Sequence, residues 1–379
     1  MIDPKLIAIY FPQFHSIPEN DKWWGKGFHD WQLVENAKPL FGGHNQPKIP
    51  LLGTYNPCEK DVLIKQADLA TKYGIYGFMI YHYWFDGKLL LEKPLETFLN
   101  NPDINIKFCV CWANGSWTRA WLGKPEILME QKHSQDPHLW EKHFNYLLPF
   151  FKDPRAIKKG DKPVFAVYQP NLLKNTKEMF DLWNDLAKAN GLPGLYMIAI
   201  KNYGFAFNHS FLEHYDGIMK FQPREVYNSD FFRDNLASRM QFLRLAPKKV
   251  WRLIQKIHYK FKTYDIIDSN KIWEIILEQA FKDQYPQYNL DIYECGYMEW
   301  DNTARYKNKA KIFTRPSKEQ LEHYTCSLFK KAREHNSEFV FWNAWNEWSE
   351  GTYLEPDTLR GYESIEIIQK AIDQMKKSH

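Results

Sequence analysis

Two glutamates three residues apart, Glu347 and Glu350, stand in Phe339-Val-Phe-Trp-Asn-Ala-Trp-Asn-Glu-Trp-Ser-Glu-Gly351, an apolar, β-prone run rich in tryptophan. A carboxylate among aromatic rings is costly to keep charged, and its pKa rises accordingly. Glycosyl transfer through an oxocarbenium-like transition state uses one carboxyl as acid and another as base, and this pair supplies both. In an extended strand residues three apart point to opposite faces, so the two can meet one substrate only if the chain turns after Glu347. Ser349 and Gly351 suit such a turn. Held close, the two charges would drive one pKa up, leaving one group protonated and one ionised near neutral pH. The competing reading is a strand end whose acids meet water or an arginine.

The composition favours a sugar ligand. Aromatic residues make up 17% of the chain, with 15 Trp and 22 Tyr, more than core packing requires. Flat amphipathic rings stack on the C–H faces of sugars, although they also serve protein–protein interfaces. A net charge of +4 and a pI near 8.5 do not suggest nucleic-acid binding. Five scattered cysteines read as reduced thiols. No signal peptide and no apolar stretch of membrane-spanning length is evident, so a cytoplasmic protein is expected. There is no nucleophile elbow, Walker loop, Rossmann fingerprint or Asp-x-Asp element. His15, His29, His44 and His82 lack metal-ligand spacing, and neither cofactor nor metal is expected.

Positioning the pair requires a scaffold. Strand-like runs at residues 6–11, 77–84, 106–112, 163–168, 195–200, 217–221, 292–300 and 339–345 alternate with helical segments, such as 62–73. Eight such units predict an α/β chain folded as a single (β/α)8 TIM-like barrel over residues 1–379. Run after run ends on polar or aromatic groups: Gln13 and His15, His82 to Trp84, Trp112 with Asn114, Gln169, Asn202, Gln222, Asp301 with Asn302, and Glu347. In a parallel barrel those ends converge on one mouth. Residues 224–290 form a long insertion between the sixth and seventh strands. Within it, 235–264 lacks acids and carries Lys249, Arg252, Lys256 and Lys260 opposite Val250, Ile254, Ile257 and Phe261 on a helix opened by Pro247. Such a helix suits either an anionic membrane or diphosphate-bearing lipid, or packing against the barrel with a solvated basic face.

Several longer motifs then fall into place: Tyr10-Phe-Pro-Gln-Phe-His15, Trp23-Trp-Gly-Lys-Gly-Phe-His-Asp-Trp31, Ala37-Lys-Pro-Leu-Phe41, Cys111-Trp-Ala-Asn114 with Trp117-Thr-Arg119, Trp300-Asp-Asn-Thr303, and Trp345-Asn-Glu-Trp-Ser-Glu-Gly351 followed by Leu354-Glu-Pro-Asp357. With these the chain resembles the WbsX-type glycosyltransferases of bacterial O-antigen and capsule clusters, which look like relatives of the family 99 glycoside hydrolases, retaining endo-α-mannosidases on a (β/α)8 barrel. The resemblance implies that Glu347 takes the proton of the sugar's own 2-hydroxyl, which attacks C1 to give a 1,2-anhydro sugar, and that Glu350 is the acid, then the base. It departs at Gly115, Ser116 and Leu122, where related chains carry polar or acidic residues. Strand ends and motifs together nominate substrate contacts at Tyr10, Gln13, His15, Trp24 and Trp31. They add Tyr81, His82, Tyr83 and Trp84 from the second run, and Trp112, Asn114, Trp117 and Arg119 from the third. Trp300, Asp301, Asn346 and Trp348 complete the set. The expected activity is a retaining glycosyltransferase acting on a sugar donor and a glycan or lipid-linked glycan acceptor, with peripheral contact of 235–264 to an anionic membrane. The alternatives are a retaining α-glycoside hydrolase and a non-catalytic glycan-binding barrel.

Overall fold

Apolar runs flanked by helical segments do assemble into a barrel in the computed structural model, which describes residues 2–119, 126–202, 209–229, 263–279 and 287–377. The wall is formed by β1 (Lys5–Tyr10), β2 (Gly77–Phe85), β3 (Lys107–Trp112), β4 (Lys162–Val167), β5 (Tyr196–Lys201), β6 (Gly217–Lys220), β7 (Asp291–Tyr293), β8 (Cys295–Gly296) and β9 (Phe339–Trp342). Each pairs in parallel with its neighbour, from β9 through β1 to β7. β7 pairs with β6 and β8 pairs with β9, so the ring completes across Glu294, whose carbonyl accepts the Phe341 amide at 2.9 Å. The expected seventh strand, 292–300, is therefore split where it changes partner. Its end, Trp300–Asp301, pairs antiparallel with Lys311–Phe313 in a separate small sheet.

Alternation along the strands sorts the side chains into two layers. Ile7, Ile9, Met79, Tyr81, Cys109, Cys111, Ile198, Ile200 and Phe341 fill the barrel. Leu6, Ala8, Phe78, Ile80, Val110, Phe165 and Trp342 pack outward against helices that include α1 (Lys60–Lys72), α2 (Lys93–Asn100), α3 (Pro137–Lys152) and α4 (Thr176–Ala189). α5 (Ser269–Glu278), α6 (Lys318–Glu334) and α7 (Glu363–Lys377) complete that layer. Helix starts follow their sequence signals: Pro137 opens α3 behind an Asp136 cap, and Ser317 with Gln320 forms a capping box on α6. Where charge enters the wall it is paired, as with Glu294 between Lys220 and Lys331 at 2.9 and 3.1 Å.

Of the insertion, the structure describes a short helix (Arg224–Tyr227), the strand Asp265–Ile267 and α5. The basic stretch with Lys249, Arg252, Lys256 and Lys260 lies outside the described residues. Among those described, no helix is long and apolar enough to cross a membrane.

Candidate active site

The turn that the two glutamates require forms immediately beyond β9. Asn346–Glu347 (β10) pairs antiparallel with Thr352–Tyr353 (β11), and Trp348–Glu350 makes one 3-10 turn between them. Gly351 closes the turn at φ 60°, where a Cβ would come within 2.5 Å of the Asp301 carbonyl. The hairpin turns both carboxylates into a cavity of about 320 Å³ at the barrel mouth.

Two arginines meet them there. Arg305, on the short helix Thr303–Tyr306, donates through Nη1 to Glu350 at 2.7 Å and through Nη2 to Asp30 at 2.9 Å and Glu347 at 3.1 Å. Arg224 donates to both oxygens of Glu350, at 3.1 and 3.0 Å. Asp30 also accepts the Ser349 hydroxyl at 2.6 Å, which ties the turn to the loop before the Trp31–Glu35 helix. These contacts give the two glutamates different acidities. Burial pushes Glu347 up to about 8; the nearby Arg305 charge opposes this, and those of Glu350 and Asp30 add to it. Burial works on Glu350 too, but Arg224 and Arg305 outweigh it and hold that carboxyl below its ordinary range. Burial and the uneven arginine contacts thus favour the neutral form on Glu347 and the charged form on Glu350. That order is the reverse of the one the resemblance implies for the first chemical step.

The remaining nominated residues divide by strand parity. Gln13, Trp24, Tyr81, Tyr83 and Trp117 line the cavity with the two glutamates. Gln13 donates to the Tyr83 hydroxyl at 2.9 Å. Arg119 stands behind the rim, bonded to Glu126 and to the Trp23 carbonyl, with its guanidinium 5.4 Å from the Trp24 ring centre. The alternate positions of β2, with Tyr10 of β1 and Trp112 of β3, face the helices instead. Tyr10 donates to Gln66 at 2.8 Å, and His82 meets His143 of α3 at 2.9 Å. Trp84 stacks on His143 with centroids 4.6 Å apart, and Trp112 donates to the Trp84 carbonyl at 3.0 Å.

A third group lies beneath the site as its framework. His15 bonds the Pro12 carbonyl, while Trp31 stacks on Phe14 and donates to the Tyr55 carbonyl. Asn114 brackets the backbone of Gln169, accepting at 2.7 Å and donating at 3.0 Å. Trp300 lies between Phe313 and the Arg224 guanidinium. Asp301 accepts from Gln46 and Thr303 and pairs with His44. Asn346 bonds both backbone groups of Phe11, and Trp348 stacks on Tyr353 and donates to Glu355 at 2.7 Å. Gly115 and Ser116 line the cavity; a Cβ at Gly115 would come within 3.0 Å of the Gln169 amide nitrogen, so glycine leaves that side chain its place. Leu122 lies outside the described residues.

Among the residues that line the cavity, Asp30, Arg224 and Arg305 are the charged ones that sequence reasoning passed over. Asp30 lay inside the Trp23–Trp31 motif, and Arg305 lies two residues beyond Trp300–Thr303. The available signal was charge balance, since buried carboxylates need cations nearby.

Comparison with known proteins bears on the family and the fold. Residues 6–368 match the family described as Glycosyltransferase WbsX. The protein WxcX of Xanthomonas campestris pv. campestris, in strains ATCC 33913 and B100, is 32% identical over 374 residues, covering 97% of this chain and 49% of that one. The chain thus spans about half the length of the curated relatives it matches. Among solved structures, the fold is similar to the GH99 endo-alpha-mannosidase from Bacteroides thetaiotaomicron, with TM-score 0.58, 13% identity, and 100% and 99% of the two chains covered. It is also similar to a glycoside hydrolase-like protein, with TM-score 0.57, 14% identity, and 98% and 94% covered.

Proposed function

We propose, from the premise that this chain belongs to the WbsX glycosyltransferase family and is a carbohydrate-active enzyme, that it transfers a sugar with retention of configuration to a glycan or lipid-linked glycan acceptor in surface-polysaccharide assembly. One observation carries the reading: two carboxyls on a single turn face one cavity, one pushed toward its neutral form by burial and the other held toward its charged form by two arginines. That is the proton count acid–base glycosyl transfer needs.

The chemistry balances as follows. Glu347 takes the proton of the donor's 2-hydroxyl as O2 bonds to C1, and the C1–leaving-oxygen bond breaks with that oxygen protonated by Glu350. The acceptor hydroxyl then attacks C1, passing its proton to Glu350, while O2 leaves C1 and recovers its proton from Glu347. Two inversions give net retention. For this sequence the resting proton must move from Glu347 to Glu350 when sugar enters, and displacement of the Arg224 guanidinium from Glu350 would favour that move. Tyr83, Trp24 and Trp117 provide the stacking and hydrogen-bonding surface for the sugar.

The GH99 endo-alpha-mannosidase fold supports a second reading, in which water is the acceptor and an α-mannoside the donor. Mass spectrometry of reactions with aryl α-mannosides, manno-oligosaccharides, and nucleotide- and polyprenyl-linked sugars separates the two. Extension of an added glycan acceptor supports transfer. Release of free sugar alone, with the acceptor unchanged, would replace it with hydrolysis.

A further inference from the structure

Among the described residues, Glu350 receives three contacts from two guanidiniums and Glu347 one, which comes from an Nη2 shared with Asp30. Asp30 is therefore more than a spectator. It is buried, it accepts Ser349 Oγ from within the catalytic turn, and its bond to Arg305 holds that guanidinium partway between the carboxyls. The Arg305 plane also lies 5.2 Å from the Phe11 ring centre, which supports it from β1's end. From this geometry we infer that Arg305, anchored by Asp30, is the positioning residue that decides which of the two glutamates carries the site's proton.

The groups facing the pair come from several elements: Asp30 from the loop before the Trp31–Glu35 helix, Tyr81 and Tyr83 from β2, Arg224 from the short helix after β6, and Arg305. The tyrosines stay neutral, since burial raises both hydroxyls well above their ordinary range. Arg224 is committed to both Glu350 oxygens and biases the proton away from Glu350. Arg305 alone among the named groups bonds Asp30, Glu347 and Glu350 together. Moving it toward Glu347 ionises Glu347; moving it away leaves that carboxyl neutral. Asp30 sets that distance and also adds its own negative charge beside Glu347. Both effects of losing the Asp30 charge act in one direction: Arg305 is released toward Glu347, and a repelling neighbour disappears. The inference rests on the reading of Glu347 and Glu350 as the acid–base pair, but it is tested without any substrate.

The test is a pH titration of the intact protein followed by infrared difference spectroscopy of its protonated carboxyl band. Wild type is expected to show a carboxyl transition near pH 8, and Glu347→Gln identifies that band by removing it. Arg305→Met, which keeps bulk but removes the charge, should move the transition up by about one pH unit or more, and Asp30→Asn should move it down by about as much. Opposite shifts establish the role, because general loosening of the site would move both variants the same way. If either variant unfolds, Arg305→Gln or Asp30→Ser takes its place, so that the two shifts are still read against each other. A transition left in place by both substitutions, or moved in one direction by both, overturns the inference. The acid–base reading fails separately, if Glu347→Gln and Glu350→Gln keep wild-type turnover.

Discussion

The inward and outward faces of β2 are built from one sequence, Tyr81-His82-Tyr83-Trp84, yet they do different work. Tyr81 and Tyr83 line the cavity beside the glutamates. His82 and Trp84 close on His143 of α3, one at 2.9 Å between ring nitrogens and the other by parallel stacking at 4.6 Å. The same contrast repeats at Phe11 and Tyr10, which fall in the inner and outer clusters. Aromatic and polar character at a strand end therefore marks the mouth, while parity decides whether a side chain faces the cavity or supports the wall.

That contrast predicts that inward substitutions cost rate and outward ones cost stability. The largest effect falls on the pair: Glu347→Gln and Glu350→Gln should each lower kcat by about 10²–10⁴-fold, with the unfolding midpoint unchanged or raised for Glu347→Gln and lowered for Glu350→Gln, which leaves Arg224 and Arg305 without their shared carboxylate. The sign for Glu347 follows from its acidity. Its folded pKa, raised to about 8 from 4.5, favours the fold at pH below the unfolded value, and that contribution is lost as pH rises toward 8. Glu347→Gln should accordingly be more stable than wild type at pH 8 and above, as denaturant titration would report. Outward, Trp112→Ala should cost about 3–5 kcal/mol of stability and leave kcat/KM per folded molecule unchanged. A selective loss of turnover there would break the parity argument.

Smaller effects sharpen it. Trp117→Ala, on the cavity side, should raise KM about three- to tenfold with little change in kcat, the loss of one aromatic face worth roughly 0.5–1.5 kcal/mol. His82 is the smallest case. Burial lowers it from 6.5 to about 3, so it is neutral in the fold, and the stability this gives is full above pH 6.5 and falls between 6.5 and 3. His82→Leu should flatten that acid limb of the unfolding curve without shifting the rate profile.

The barrel was legible because eight apolar runs of strand length recur at βα spacing, and their buried faces leave little alternative. The glutamate pair was legible because charge is conspicuous inside such a run. Parity was not, since a block such as His82 to Trp84 was taken whole although only alternate residues can face the lumen. The arginines were hidden by distance along the chain. Arg305 meets Asp30 across 275 positions and Arg224 meets Glu350 across 126, and no local pattern specifies such partners. The split of the seventh strand was equally hidden, because the exchange from β6 to β9 at Glu294 is a property of ring closure rather than of residues 292–300.

The most direct measurement is a crystal structure of Glu350→Gln with a donor glycan bound. The account predicts the reacting sugar in the barrel mouth, its 2-hydroxyl within hydrogen-bond reach of Glu347 and its glycosidic oxygen within reach of residue 350, with Trp24 or Trp117 against a ring face. A glycan seated elsewhere, or one whose anomeric carbon lies out of reach of both positions, would contradict it.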